Sequence, residues 1–409
     1  FVSALAFCYI CPRKSLEQNM NIIDNLFLAP YSLVLKFRHM MFDSGMRKSH
    51  HSPVPTISVG NVTVGGTGKT PHTEMLLRIL SSKTTWKESS VAVLSRGYKR
   101  KTRWFQQVVS DGTASDFGDE PVQIKRKFPE ITVAVDKDRI RGCAFLANPD
   151  ALKSSKKAKK CRDTDFPAAD LIILDDAFQY RRLKPSLSIV LVDYRRPVFD
   201  DHLLPAGKLR DLPQRIHNAD VLIVTKSPAY LENPDKQSFL KKLRMAQYDP
   251  NQSTALTDTG RRQSVFFSRI CYCSPEAVFP EGDTRYIYSK SAVMVTGIAD
   301  DTPFARFLSD TYKIIKRISF PDHHSFSSSD IKMLEKVAAE HPTAVFITTE
   351  KDSQRLLECK KISGSLRKKI FRIPIAVQFL TEDENDNFIS LLDGIRAEQH
   401  FAPAQKPHE

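Results

Sequence analysis

Thr63-Val64-Gly65-Gly66-Thr67-Gly68-Lys69-Thr70 follows the strand-like run Thr56-Ile57-Ser58-Val59 and precedes a helix-compatible run from Glu74 to Leu80. A strand, a glycine-rich turn ending in Gly-Lys-Thr and a helix form a cradle for the phosphates of a nucleoside triphosphate. Gly65, Gly66 and Gly68, with Thr67 between them, let backbone N–H groups close around the β-phosphate. Lys69 reaches the β and γ oxygens, and the Thr70 hydroxyl is placed to coordinate Mg²⁺. The general pattern has glycine where Thr63 stands, so the match is one residue short. A glycine-rich hairpin that binds nothing shares these letters but does not call for a strand before and a helix after.

Working outward, the apolar runs Ile57–Val59, Val91–Leu94, Ile131–Val135, Leu171–Leu174, Ser188–Val192 and Val221–Val224 are mostly separated by stretches long enough for a crossover helix. They predict an α/β lobe of parallel strands alternating with helices. Near-continuous apolarity marks strands covered on both faces, and the ligands of such sheets gather at the strand C-terminal ends. The pattern loosens from Pro228 to Ser289, with a helix-like Asp235–Gln247 and a β-like Ser264–Ile270, and a hinge is expected there. A second α/β lobe follows, with strands expected at Ala292–Ile298, Ile314–Phe320, Ala344–Thr348 and Phe371–Val377. The expected division is an N-terminal extension over 1–26, a nucleotide-binding lobe over 27–227, a linker over 228–290, a C-terminal lobe over 291–399 and a tail over 400–409.

With 409 residues, 41% of them hydrophobic, the chain has material for two cores, and no run approaches the ~20 apolar residues that span a bilayer. The formal charge of +14, from 61 basic and 47 acidic residues, calls for an anionic partner: nucleotide, nucleic acid or an acidic lipid surface. Nucleic acid is not favoured, since neither a helix-turn-helix pattern nor a single-strand stacking motif is present. Seven scattered cysteines argue for a reducing compartment, and Cys8-x-x-Cys11 lacks the second pair that a zinc site needs. The apolar Phe1–Ile10 stretch makes a poor signal peptide, and Met20 is one candidate start. From Tyr31 to Phe42, Leu33, Val34, Phe37, Met40 and Met41 fall opposite Ser32, Lys36 and His39 on a short helix. An interfacial membrane helix and an ordinary core-covering helix fit that pattern equally. The basic run Lys153–Arg162 reads as a solvated loop.

A nucleotide loop needs carboxylates at the mouth of a neighbouring strand, and Leu171-Ile-Ile-Leu-Asp175-Asp176 supplies them, with Gln179 close behind. Two adjacent carboxylates repel unless a cation lies between them, so Asp175 and Asp176 are the candidate Mg²⁺ ligands. Together with the loop, Ser95-Arg-Gly-Tyr98, Gly118-Asp-Glu-Pro121, Asp175-Asp-Ala-Phe-Gln179, Leu204-Pro-Ala-Gly-Lys-Leu-Arg-Asp211, Asp322-His-His324 and Thr348-Thr-Glu-Lys-Asp352 resemble, in fixed order over about Phe27 to Leu392, the tetraacyldisaccharide 4′-kinase family, the lipid A 4′-kinases.

The resemblance implies two P-loop-like α/β lobes joined by a small β element. It also implies transfer of the γ-phosphate of ATP to the 4′-hydroxyl of tetraacyldisaccharide 1-phosphate, giving lipid IVA at the cytoplasmic face of the inner membrane of a Gram-negative bacterium. Carried onto this chain, Asp119 takes the role of catalytic base, with His323, chosen over His324, as the partner that orients it. Arg139, Arg141 and Arg210 are candidate phosphate clamps; Tyr98 fits substrate positioning and packing alike. The chain departs from the family where Ala177 replaces glycine, Tyr180 replaces histidine and Asp211-Leu212 replaces Glu-Pro. A soluble P-loop ATPase or small-molecule kinase would use the same loop without acyl-chain contacts. A signalling GTPase lacks its guanine-reading tetrapeptide here.

Overall fold

The computed structural model describes residues 31–322, 324–359 and 361–401. The expectations for 1–26, with Cys8, Cys11 and Met20, lie outside the described residues. Helix α1 occupies residues 31–43. The first lobe then runs β1 (Thr56–Asn61), α2 (Lys69–Ser82), β2 (Val91–Ser95), β3 (Gln106–Gln107), α3 (Ala114–Phe117), α4 (Asp119–Lys127), β4 (Thr132–Val135), α5 (Arg139–Ala147), α6 (Pro149–Lys153), β5 (Leu171–Asp175), β6 (Leu187–Asp193) and β7 (Val221–Thr225). Every residue of β1, β2, β4, β5 and β7 is buried, which is why these strands read as unbroken apolar runs. Their order is β4-β2-β5-β1-β6-β7, all parallel, with β3 antiparallel on the outer edge.

The stretch expected as a linker instead widens this sheet. Helix α7 (Asn233–Lys242) stops five residues short of Gln247, because the chain turns at Arg244 (φ 57) and enters β8 (Ala246–Asp249). Strands β9 (Thr254–Leu256) and β10 (Arg262–Tyr272) follow, and β10 lies parallel to β7. The second sheet has the order β11-β15-β14-β12-β13, from β11 (Glu276–Ala277), β12 (Ser291–Thr296), β13 (Lys313–Ser319), β14 (Val345–Thr349) and β15 (Ile370–Ile373). Helices α8 (Thr302–Ser309), α9 (Ser328–Glu340), α10 (Glu350–Leu357) and α11 (Gly364–Arg367) cover it.

The single strand expected over Phe371–Val377 is two strands. Pro374 donates no N–H to a ladder and divides β15 from β16 (Ile375–Phe379), which pairs antiparallel with β10 in the first sheet. Helix α12 (Glu382–Phe401) follows it back, placing Phe388, Leu392 and Ile395 in one cluster with Ile57, Val59, Leu76 and Phe266. Residues from 375 onward, read from sequence as second-lobe material, therefore pack on the first sheet. Full burial of Phe388 and Leu392 contributes about 1.5–3 kcal/mol each to holding α12 there. The other face of the sheet buries Leu35 of α1 and Phe239 and Leu240 of α7 against Val190, Leu222 and Val265.

Candidate active site

The loop between β1 and α2 opens at the C-terminal end of the central strand. Gly65, Gly66 and Gly68 adopt φ of 77°, 46° and 86°, a left-handed backbone that only glycine takes without strain. Gly68 caps α2 with no side chain, and the first turn has no acidic residue, so the helix presents its free N–H groups and positive end to an anion. Buried Asn61, at the end of β1, organises the loop. Its Nδ2 donates to Thr67 Oγ1 at 2.6 Å and Thr63 Oγ1 at 3.3 Å, while its Oδ1 accepts from Lys69 at 3.5 Å and Arg210 at 2.6 Å. From the end of β7, Thr225 donates to the Thr67 carbonyl at 3.0 Å. Lys226 donates to the Gly66 carbonyl and to Asp193 at 2.7 Å.

Beside the loop, β5 ends in the paired aspartates. Asp175 is buried; one oxygen accepts from Ser95 Oγ at 3.1 Å and the other, Oδ1, has no partner among the described residues. Burial and the charge of Asp176, opposed by Lys69, push its carboxyl up to about 6. Asp176, at φ 50, is bonded through both oxygens to Arg210 and lies 3.8 Å from Lys69. Its burial works to raise the pKa, yet Arg210 and Lys69 hold it below the ordinary carboxylate value. Among the described residues no three His, Cys, Asp or Glu side chains group closely enough to cage a metal. Mg²⁺ needs no such cage, since it is held by one or two carboxylates together with nucleotide phosphates and water. A buried Asp175 oxygen that is unpartnered among the described residues, at the mouth of the glycine loop, fits that donor set.

Gln179 turns its Nε2 to the Asn61 carbonyl, and its own carbonyl accepts from Arg38 of α1 at 2.8 Å. Arg139 is buried, donating to the Asp136 carbonyl and, at 3.2 Å, to that of Asp175; its charge stands behind the strand ends. Arg141 pairs with Asp136 at 2.7 Å.

Asp119 is the first residue of α4. Gly118 before it has φ 98, and a Cβ there would lie 3.2 Å from Gly97 Cα and from the Tyr98 carbonyl oxygen, so only glycine lets the two loops meet. The Asp119 carboxylate is held at 2.6 Å by Arg355 of α10, whose other arm reaches Asp352 at 3.2 Å. A cavity of about 600 Å³ between the lobes is lined by Asp119, Glu120, Tyr98, Phe326 and Arg355. His323 lies outside the described residues. His324 stacks on Phe320 at 4.4 Å and bonds Asp330 at 2.9 Å near the start of α9, so its ring is committed within the second lobe.

Sequence reasoning missed Asn61, His72, Glu120, Lys226 and Arg355. The Thr348–Asp352 stretch flagged the neighbourhood of Arg355, and Glu120 stands beside Asp119 in a quoted motif; Asn61 and Lys226 close strands. Nothing local marked His72, whose Nδ1 donates to the Gly68 carbonyl at 2.7 Å.

The family model for tetraacyldisaccharide-1-P 4′-kinase matches residues 25–393. A tetraacyldisaccharide 4′-kinase of Phocaeicola vulgatus is 36% identical over 376 residues, covering 90% of this chain and 93% of the relative. One from Bacteroides thetaiotaomicron is 36% identical over 373 residues, 88% of each chain. The enzyme of that name from Flavobacterium johnsoniae is 32% identical over 383 residues, covering 92% and 98%. The fold is also that of LpxK from Aquifex aeolicus, solved in complex with ATP, at a TM-score of 0.62, 24% identity and coverage of 92% of this chain and 99% of that one. A glycine-rich loop between strand and helix, a strand-end carboxylate pair and an interlobe carboxylate thus sit in a chain matched along almost its whole length, and the chain belongs to the tetraacyldisaccharide 4′-kinase family.

Proposed function

We propose that this chain transfers the γ-phosphoryl group of ATP to the 4′-hydroxyl of tetraacyldisaccharide 1-phosphate, giving lipid IVA in lipid A synthesis. The observation that carries the reading is a family match running through a phosphate loop whose lysine stands 3.8 Å from a strand-end carboxylate. The backbone of Gly65 to Thr70 holds the nucleotide phosphates, and Lys69 meets the β and γ oxygens. Asp119 accepts the 4′-hydroxyl proton as that oxygen attacks the γ-phosphorus; the bond to the bridging oxygen breaks and ADP departs. Arg355 directs the Asp119 carboxylate, with His323 assigned its tuning, and Tyr98 positions the sugar. Thr70, Asp175 and Asp176 would hold Mg²⁺, with Gln179 beside them. When bound, the ion offsets charge on the phosphoryl oxygens.

Helix α1 supports a peripheral place on the cytoplasmic leaflet of the inner membrane. Leu33, Val34, Phe37 and Met40 are exposed on it, while its inner side bonds Gln179 and, through His39 at 2.6 Å, Asp211. Among the described residues no helix is long and apolar enough to cross a membrane. The test is incubation with radiolabelled ATP and the disaccharide lipid in mixed micelles. A labelled bisphosphorylated lipid is expected, lost in Lys69→Ala and in Asp119→Ala with circular dichroism unchanged. Turnover by either variant at the wild-type rate, or equal use of a water-soluble sugar without acyl chains, overturns the assignment.

A further inference from the structure

Beyond the carboxylates, at the outer edge of the first sheet, lies a second cavity of about 350 Å³ lined by Arg100, Arg103, Trp104, Asp136, Lys137 and Arg141. Its one carboxylate is already taken, since Asp136 accepts from Arg141 Nε at 2.9 Å and Nη2 at 2.7 Å. Arg100 is fixed by carbonyls: it donates to Val135 at 3.0 Å and to Trp104 at 2.6 Å, and its Nε is buried without a hydrogen-bond partner among the described residues. Among the described residues, Arg100, Arg103 and Lys137 form no ion pair. Cations gathered in this way repel one another, and an external anion relieves the repulsion.

Trp104 sits at φ 67, a genuine outlier for a bulky residue, and such strain is retained where something depends on the side chain's placement. Its ring meets Arg141 at 5.6 Å and Lys157 at 6.0 Å. Lys157 comes from the basic run read as a solvated loop. That run is fastened beside the cavity, with Gln106 donating to the Lys160 carbonyl at 2.8 Å and Arg162 pairing with Asp116 at 3.0 Å. The cavity opens past the end of β4, three strands from β1 and so ~14 Å from the phosphate loop's own strand. It is separate from the nucleotide site and lies on the opposite face of the sheet from α2, although both open at the C-terminal ends of the parallel strands.

We infer that this cavity binds a phosphate monoester, whose oxygens are gripped by Arg100, Arg103 and Lys137 and whose attached group lies against the Trp104 ring. The phosphate has two possible sources, a free phosphate or sugar phosphate and the 1-phosphate of the lipid substrate; only the second rests on the function proposed above. Trp104 is one of two tryptophans, and the other, Trp86, is core-buried at 2% exposure, so ligand-dependent emission reports the cavity.

The experiment titrates full-length Lys69→Ala protein, whose nucleotide loop is disabled, with inorganic phosphate and with glucosamine 1-phosphate. A saturable emission change is expected. It should be absent in Trp104→Phe and at least tenfold weaker in affinity in Arg103→Gln/Lys137→Gln; these two side chains are exposed, and unchanged melting checks the fold. Absence of a saturable change, or affinity undiminished in the double variant, overturns the site. With Lys69 restored, a fivefold or larger rise in KM for the lipid at unchanged KM for ATP identifies the substrate's phosphate. Unchanged KM with probe affinity lost identifies a free phosphate, and both results uphold the site. An inactive wild-type kinase would defeat the function proposed above while leaving the titration readable.

Discussion

As a neutral ring, His72 has one tautomer that satisfies both its neighbours. Its Nδ1 is 2.7 Å from the Gly68 carbonyl and must carry the hydrogen, which leaves Nε2 to accept from Ser268 Oγ at 2.9 Å. Burial, helped by the charge of Lys226 and opposed by the Gly68 carbonyl, drops its pKa to about 4. The unfolded chain takes up this proton near the ordinary value of 6.5 and the folded chain only near 4, so the stabilisation is complete above 6.5 and is lost as pH falls to about 4. That gap is worth on the order of 3 kcal/mol. Urea denaturation between pH 7.5 and 4.5 should show His72→Gln losing stability less steeply than wild type; parallel slopes would refute the assignment. The turn between β1 and α2 and the aspartates that close β5 were legible as structure because each is one continuous stretch. His72, Asn61 and Arg355 were not, because their partners at Ser268, Arg210 and Asp119 are 196, 149 and 236 residues away.

Among the elements, α1 shows how a pattern can be read correctly and still leave its orientation open. The periodicity separated Leu33, Val34, Phe37 and Met40 from His39. The structure buries His39, Leu35 and Phe42 and leaves the four apolar residues 62%, 63%, 58% and 50% exposed. A helix that covered the core would do the reverse, and a contiguous exposed apolar stripe marks an interaction face. Because these side chains touch little in the folded protein, replacing Leu33, Val34 and Phe37 by serine should alter stability by no more than about 0.5 kcal/mol per site. Sedimentation with anionic vesicles should nevertheless fall several-fold; undiminished co-sedimentation would make the stripe irrelevant to membranes. The break at Pro374 was legible in principle, since proline interrupts a ladder. An apolar run on both sides hid the fact that its halves serve different sheets.

At the scale of the molecule, the two lobes meet over a buried cluster of charge close to Asp119. Lys127, at the end of α4, lies 2.6 Å from Glu74 of α2 and 2.7 Å from Glu350 of α10. Arg126 reaches Gln354 at 2.6 Å, and Arg355 holds Asp119. Glu74 is 1% exposed at the side chain, and burial and then the nearby Glu350 charge raise its pKa even with Lys127 present. Removing the lysine leaves two buried carboxylates facing each other across the lobe boundary, a loss of about 3–5 kcal/mol when one member of such a group is deleted. Lys127→Met should therefore be strongly destabilised at neutral pH. The folded variant binds the Glu74 proton at higher pH than the unfolded chain does, so the deficit against wild type should narrow as pH falls toward the ordinary glutamate value of 4.5. Denaturant titrations of both proteins at pH 7.5 and 5 check this, and a deficit constant with pH would locate the damage in lost packing. The same substitution loosens the seat of α10, from which Arg355 directs Asp119. Phosphoryl transfer at saturating substrates should then fall more than ATP affinity, because among the described residues the glycine loop itself is bonded to Asn61, Thr225 and Lys226 of the first lobe.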